Sequence, residues 1–181
     1  MSIGIAVLRA VIGLLFLGHG LQKLTGRFGG HGLAQTAAGF ESMGLRPGKQ
    51  NALAAGVSEA AGGALHAAGL ATPLAASVIT GTMGSAVYHV HGSKGPWATQ
   101  GGWEYNAVVM AAVFGIAATG PGVFSLDHAL GIERKGAGVA AAQLAAGLLG
   151  SAVVAARATT PAPEPGTQPG TEMPAAERAD T

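Results

Sequence analysis

The sequence predicts an all-α fold: a polytopic transmembrane helical bundle with four core helices, a fifth helix and a disordered C-terminal tail. Only 10% of its 181 residues are charged and 49% are hydrophobic, whereas about 25% are charged in an average soluble domain. Residues 50–93 contain only Glu59 as a charged residue, and 105–126 and 136–156 contain none. Each window can hold the roughly 20 residues that cross a bilayer. A soluble Ala-rich bundle is disfavoured because its helices would lack a charged face.

The first predicted span covers residues 3–22 and carries an unusual polar stripe. On a helix, one line collects residues that are polar, small or aromatic, namely Arg9, Gly13, Phe16, Gly20 and Lys23. A lipid-facing arginine costs at least about 2.5 kcal/mol, so this stripe should face other helices. Since no small-x-small cleavage site follows the apolar run, we expect an uncleaved span and not a signal peptide.

The next elements follow from apolar runs and turn residues. After a basic, glycine-rich loop, residues 33–43 favour a short helix at the membrane interface. A second span is predicted over 51–71, and Thr72-Pro73 opens a third that ends near His91. The loop after it carries residues typical of an interfacial aromatic belt, namely Trp97, Trp103 and Tyr105.

A fourth span, residues 103–119, stops at the helix terminator Gly120-Pro121. A further apolar run follows at 136–156, and the proline-rich end of the chain cannot bury a core. The predicted organisation is therefore a four-helix bundle over 1–132, an additional transmembrane helix over 133–156 and a disordered tail over 157–181.

Basic residues predict the orientation, because cytoplasmic loops are enriched in Lys and Arg. The loops after the first and third spans hold five of them, Lys23, Arg27, Arg46, Lys49 and Lys94, against Arg134 and Lys135 on the opposite side. We expect the first and third loops to be cytoplasmic.

Several function classes find no support. The absence of cysteine excludes disulfide chemistry, thiolate nucleophiles and Cys-ligated metals within this chain. A net charge of +1 without a basic helix gives no sign of nucleic-acid binding. Neither a GK[ST] phosphate loop nor a GxSxG elbow is present, so nucleotide-binding and hydrolase functions are not predicted. The lipid bilayer is the predicted partner.

Glu59 is the central acidic candidate. At 1.5 Å per residue, Arg9 should lie roughly 9 Å deep and Glu59 about 18 Å deep from the same side. A buried charge needs a partner, and the sequence predicts a structural ion pair between Arg9 and Glu59, with Lys23 approaching from the other side. A functional carboxylate at Glu59 is an equally weighted alternative.

A second group of polar residues should surround one mouth of the bundle. The predicted binding residues are His19, Lys23, His89, Glu104 and Tyr105, with His91 nearby, and the catalytic candidates are Glu59, Lys23 and Glu104. His19 and His89, on different helices at one depth, could ligate a haem, but hydrated interfacial histidines are the favoured interpretation. No other metal site is predicted.

Four fragments in order resemble the DoxX family of small bacterial integral-membrane proteins. They are HGLQKL (His19–Leu24), VSEAAGG around Glu59, GGWEYN (Gly101–Asn106) and GPGVFSLD (Gly120–Asp127). The resemblance implies a four-helix bundle in the bacterial plasma membrane. Where relatives often carry a basic residue before the aromatic of the GPG loop, this chain has Val123-Phe124, and the fifth span lies outside the matching region.

For function, the resemblance implies a link to quinone-coupled sulfur oxidation or to an oxidative-stress complex with superoxide dismutase and a sulfurtransferase. Our leading hypothesis is a membrane subunit that supports quinone-linked redox chemistry through the polar mouth and Glu59. The alternatives are a non-catalytic scaffold that anchors soluble redox proteins through the first loop and the tail, and a small-solute transporter. Self-association of the chain is left open. The transporter is disfavoured because no inverted repeat is visible.

Overall fold

The computed structural model describes residues 2–158, and all regular secondary structure in this part of the chain is helical. Met1 and residues 159–181, most of the predicted tail, lie outside the described residues. The α-helices are α1 (Ser2–Thr25), α2 (Gly32–Ser42), α3 (Gly48–Ala68), α4 (Thr72–Ala86), α5 (Glu104–Thr119), α6 (Leu126–Ala129) and α7 (Ala137–Arg157). A π-helical turn, Val87–His91, continues α4.

The all-α prediction is confirmed, and five helices lie within a few residues of the predicted spans. Two of them, α1 from Ile3 onward and α7, are long and apolar enough to cross a membrane, while α5 is a shorter apolar helix. The expected four or five spanning helices therefore exceed what length and composition identify among residues 2–158. The physical reason is that α3 combines glycine with polar residues such as Asn51, Glu59 and His66, which lower its hydropathy, and that α4 ends after 15 residues.

Helices α1 and α3 are antiparallel and approach each other through glycine. A Cβ atom added to Gly13 would lie 2.5 Å from the carbonyl oxygen of Gly63, and one added to Gly20 would lie 2.6 Å from that of Gly56. Such separations leave no room for a side chain, so glycine at these positions lets the two backbones touch. The small members of the predicted stripe on α1 therefore face α3, as small residues commonly do between helices.

Helix α4 lies at the centre of the bundle. Its residues Ala76, Ile79 and Met83 form the main apolar cluster with Ile12 and Phe16 of α1 and with Val109, Val113 and Ile116 of α5. Helix α3 packs against α4 on one side and α7 packs against it on the other. The Asn106 side chain, 3.4 Å from the Met83 sulfur, ties the start of α5 to α4.

The helix directions give the bundle two ends. The Arg9 end holds the start of α1, the turn between α3 and α4, and the loop after α5, because Arg9 contacts Ala67 and Phe124. The Lys23 end holds the end of α1, helix α2 and the π-helical turn. Helix α7 runs parallel to α4, since Thr80 faces Gln143 and Gly84 faces Ser151.

Candidate functional site

A half-open cavity of about 690 Å³ runs along α4 between α3 and α7. We call it the groove. Helix α2 and the end of α1 border it at the Lys23 end. Most of its wall is apolar, and its polar lining includes Lys23, Asn51, Ser58, Glu59, Ser85 and His89. Its volume lies within the range typical of small-molecule sites.

Lys23 and Glu59 form an ion pair in the wall of the groove. The Lys23 Nζ and Glu59 Oε2 atoms are 2.5 Å apart, and the side chains are 28% and 5% exposed. Glu59 is placed on the α3 face that meets α1, and the long Lys23 side chain reaches it from the end of α1. The predicted ion pair between Arg9 and Glu59 is therefore wrong. The partner of Glu59 is Lys23, which the sequence had placed on the other side of Glu59 from Arg9.

The π-helical turn brings His89 to the same groove. A π-helical turn inserts one extra residue into the helical register, and such turns are frequent at functional sites. The His89 Nε2 atom is buried and has no hydrogen-bond partner among the described residues. Its ring packs edge-on against Tyr88, with 4.8 Å between the ring centroids. The His89 Nε2 atom therefore lacks a protein partner, in a residue that lines the groove.

Helix α7 forms the second wall of the groove. A Cβ atom on Gly147 would lie 2.6 Å from the Thr80 Cβ, so this glycine lets α7 approach α4 closely. The Thr80 hydroxyl also donates to the Gln143 side chain at 3.2 Å, inside the same interface. Gly150 lies one turn further along and has open space around it.

At the opposite end, Arg9 binds three carbonyl groups. Its Nε atom donates to the Ala67 oxygen at 3.2 Å, one terminal nitrogen donates to Phe124 at 2.5 Å and the other donates to Pro121. Arg9 is almost fully buried. Because one guanidinium can serve several acceptors, it fastens the loop after α5 to α1 and α3.

Asp127 is a residue that our sequence reasoning did not assign a role. Its carboxylate accepts hydrogen bonds from the backbone N–H groups of Ala71 and Thr72, at 2.7 and 2.9 Å, and so caps the start of α4. The SLD motif was a signal that could have pointed to Asp127, because Ser125 caps the N-terminus of the short helix α6 and Asp127 lies on that helix. His66 is also fully buried at this end, and neither ring nitrogen has a described hydrogen-bond partner.

The remaining predicted site residues lie outside the groove lining. His19 pairs with Gln22 on the surface of α1 at 2.9 Å, and it is not among the residues that line the groove with His89. Glu104 accepts from the Ala98 N–H and holds the preceding loop, and Tyr105 is exposed. His91 binds the Gly101 oxygen at 2.6 Å. Among residues 2–158 there is no group of three or more histidine or acidic side chains suited to a metal ion.

The DoxX family model matches residues 4–92, from the first turn of α1 through the π-helical turn. The chain belongs to the DoxX family. Lys23, Glu59 and His89 fall within the matched residues, so this chain's DoxX region supplies the polar part of the groove. Helix α7 and the motifs that begin at Gly101 and Gly120 lie beyond it. No curated protein and no solved structure matches the chain.

Proposed function

We propose that this DoxX-family membrane protein binds a quinone in the groove and acts as a subunit of a quinone-linked redox complex in the bacterial plasma membrane. One observation carries the proposal: an apolar groove of quinone-compatible volume meets the Lys23–Glu59 pair and the unpartnered His89 nitrogen. Ligand sites are commonly apolar with a few polar groups that fix orientation.

The polar groups match the chemistry of a quinone head group. Quinone carbonyl oxygens accept hydrogen bonds, and the Lys23 ammonium and a protonated His89 nitrogen donate them. Reduction to the quinol consumes protons together with electrons, and Glu59 and His89 are side chains that can pass protons within the groove. The electrons would come from a soluble redox partner, so this chain's contribution is binding and proton delivery.

The proposed topology has five membrane-crossing helices, α1, α3, α4, α5 and α7, with the Lys23 end in the cytoplasm. The excess of Lys and Arg at that end supports this orientation. Since the chain has no cysteine, single cysteines introduced at Ser42 or Arg134 can be labelled in intact cells with a membrane-impermeant maleimide. Labelling at position 134 and protection at position 42 is the expected result. The reverse pattern would invert the orientation.

Blocking the groove tests the binding proposal. Gly150 and Gly138 both lie on α7 with nothing within 4 Å of an added Cβ, but only Gly150 is among the groove-lining residues. We expect Gly150→Leu to weaken binding of decyl-ubiquinone by about tenfold or more, as overpacking commonly costs 1–3 kcal/mol. Gly138→Leu should bind like the wild type. Equal binding by both variants would contradict a site in the groove.

The redox role has a separate test. Quinone-dependent oxidoreductase activity is compared in membranes that contain the wild type, Glu59→Gln or Ser58→Ala, where the last change alters the groove without touching a charge. A large loss with Glu59→Gln alone is expected. Equal activity in all three membranes would remove Glu59 from the reaction.

A scaffold function is the second candidate, favoured by the loop after α5. Hydrogen bonds of Arg9 and Asp127 hold this loop against the helices. The loop exposes large apolar side chains, namely Val123, Phe124, Leu130 and Ile132. A rigid apolar surface of this kind suits a protein partner. Co-purification of a partner that survives Glu59→Ala and fails with Phe124→Ser would favour this function over quinone binding.

A further inference from the structure

The ionisable side chains of the groove lie between its middle and its Lys23 end. A Cβ atom on Gly62 would lie 2.7 Å from Val78, which sets the register between the antiparallel helices α3 and α4. Three residues earlier on α3, Glu59 therefore lies level with Thr82, one turn beyond Val78. His89 lies further toward the Lys23 end. The Lys23–Glu59 ion pair therefore lies near the middle of the groove.

Beyond Thr82, toward the Arg9 end, the described lining of the groove carries no charged side chain. The eight residue steps from Thr82 back to Leu74 span about 12 Å at 1.5 Å per residue. The lining here consists of Leu74, Val78, Ala146 and the backbone of glycine. The Ser77 hydroxyl donates to the Pro73 carbonyl at 2.9 Å, so it leaves no donor for a ligand.

Two adjacent rows of residues on α4 form the floor of the groove. Leu74, Val78 and Thr82 lie at intervals of four residues in one row, and the row beside it holds Ser77, Gly81, Ser85 and His89. The walls on either side come from α3 and α7. Because the second row consists mostly of small residues, it forms a narrow channel that suits one extended chain lying along α4.

We infer that the groove takes a single-chain amphiphile, with an uncharged hydrogen-bonding head between Glu59 and His89 and a chain running to Leu74. The head need not be an anion, because Lys23 already has a carboxylate partner, while the His89 Nε2 atom has none in the described chain. This inference rests on the proposed function, and it adds the chain subsite. A quinone and a fatty acid share the chain chemistry and differ in the head.

Substitutions at Leu74, the far end of the proposed chain subsite, test this inference. The Leu74 side chain is 60% exposed and Leu149, on α7, is 67% exposed, but only Leu74 lines the groove. Binding of three probes is measured in phosphatidylcholine nanodiscs, with empty nanodiscs subtracted: a ring-only ubiquinone analogue, decyl-ubiquinone and decanoic acid. The variants are Leu74→Trp, the milder Leu74→Phe, and Leu149→Trp as the matched control.

We expect Leu74→Trp to weaken decyl-ubiquinone about tenfold, with a smaller loss for Leu74→Phe, and to leave the ring-only analogue unchanged. Leu149→Trp should alter neither. Comparing variants with one probe cancels the partition of that probe into lipid.

The outcomes separate this inference from the proposed function. If decyl-ubiquinone binds all variants equally, the chain subsite is overturned and quinone binding stands. If neither quinone binds but decanoic acid does, with loss in Leu74→Trp, quinone binding fails and so does the uncharged head, while the chain subsite stands. If no probe binds the wild type, both are overturned.

Discussion

The two ends of the bundle use buried charge in opposite ways. At the Arg9 end, the guanidinium and the Asp127 carboxylate are bound to backbone groups of Ala67, Phe124, Ala71 and Thr72. At the Lys23 end, charged side chains pair with each other in the wall of a groove. Backbone groups cannot move without unfolding a loop, whereas a side-chain pair can exchange partners. The first arrangement fastens the fold and the second leaves groups available to a ligand.

The largest expected effect is on stability at the Arg9 end. Arg9→Met removes the donor for three carbonyl groups, two of them in the loop after α5. Each buried acceptor left without a partner costs roughly 1–3 kcal/mol. We expect the free energy of unfolding in micelles to fall by about 3–5 kcal/mol, measured by circular dichroism against SDS. Arg9→Lys should recover part of this loss, since an ammonium can serve fewer of these acceptors in fixed geometry.

If Arg9→Met instead left stability within about 0.5 kcal/mol of the wild type, the size typical of surface changes, the contrast between the two ends would collapse. Leu149→Met, at an exposed site on α7, is the control for the substitution itself.

The next effect separates the two candidate partners of Glu59. Lys23→Met leaves a carboxylate that is 5% exposed without its cation, and breaking a buried pair in this way costs about 3 kcal/mol. The double variant Lys23→Met/Glu59→Gln should be more stable than Lys23→Met alone, because it removes the stranded charge. The same double-mutant cycle with Arg9 and Glu59 should be additive. Coupling in the Arg9 cycle and none in the Lys23 cycle would restore the pair that the sequence suggested.

A smaller effect is expected at Asp127. Asp127→Asn keeps one carbonyl oxygen and loses the second acceptor, so one of the two backbone N–H groups at the start of α4 becomes unpaired. We expect a loss of about 1–2 kcal/mol in unfolding free energy. Asp127→Ala should cost more, and an equal cost for the two variants would show that the oxygen retained in asparagine contributes nothing.

The smallest effect concerns Glu133, in the loop after α5. The hydrogen bond from His128 lowers the pKa of the Glu133 carboxyl from its ordinary value, partly opposed by burial, and Lys135 lowers it further. Because the folded pKa lies below the unfolded one, the contribution to stability is full above the unfolded pKa and is lost as the pH falls through the folded pKa. Thermal unfolding of the wild type and Glu133→Gln should converge at acidic pH. A gap that widens on acidification would reverse the sign.

The sequence by itself determined the helices, because long apolar runs and Gly-Pro turns are local signals that hold wherever a helix packs. It also identified the DoxX family and singled out the glycines by which α1 meets α3. Those glycines were visible because a helix repeats its faces at a fixed period.

Only the tertiary structure decided which charges meet. The depth estimate compared backbone heights, and Arg9 and Lys23 each lay within a few turns of Glu59, so the choice depended on which long side chain turned inward. The loop after α5 folds back and offers Arg9 two of its three carbonyl oxygens, and no sequence period reports backbone acceptors that are more than a hundred residues away. Because Arg9 is bound to these carbonyl groups, Glu59 pairs with Lys23. Helix α7, which contains none of the polar motifs, forms the second wall of the groove beside this pair.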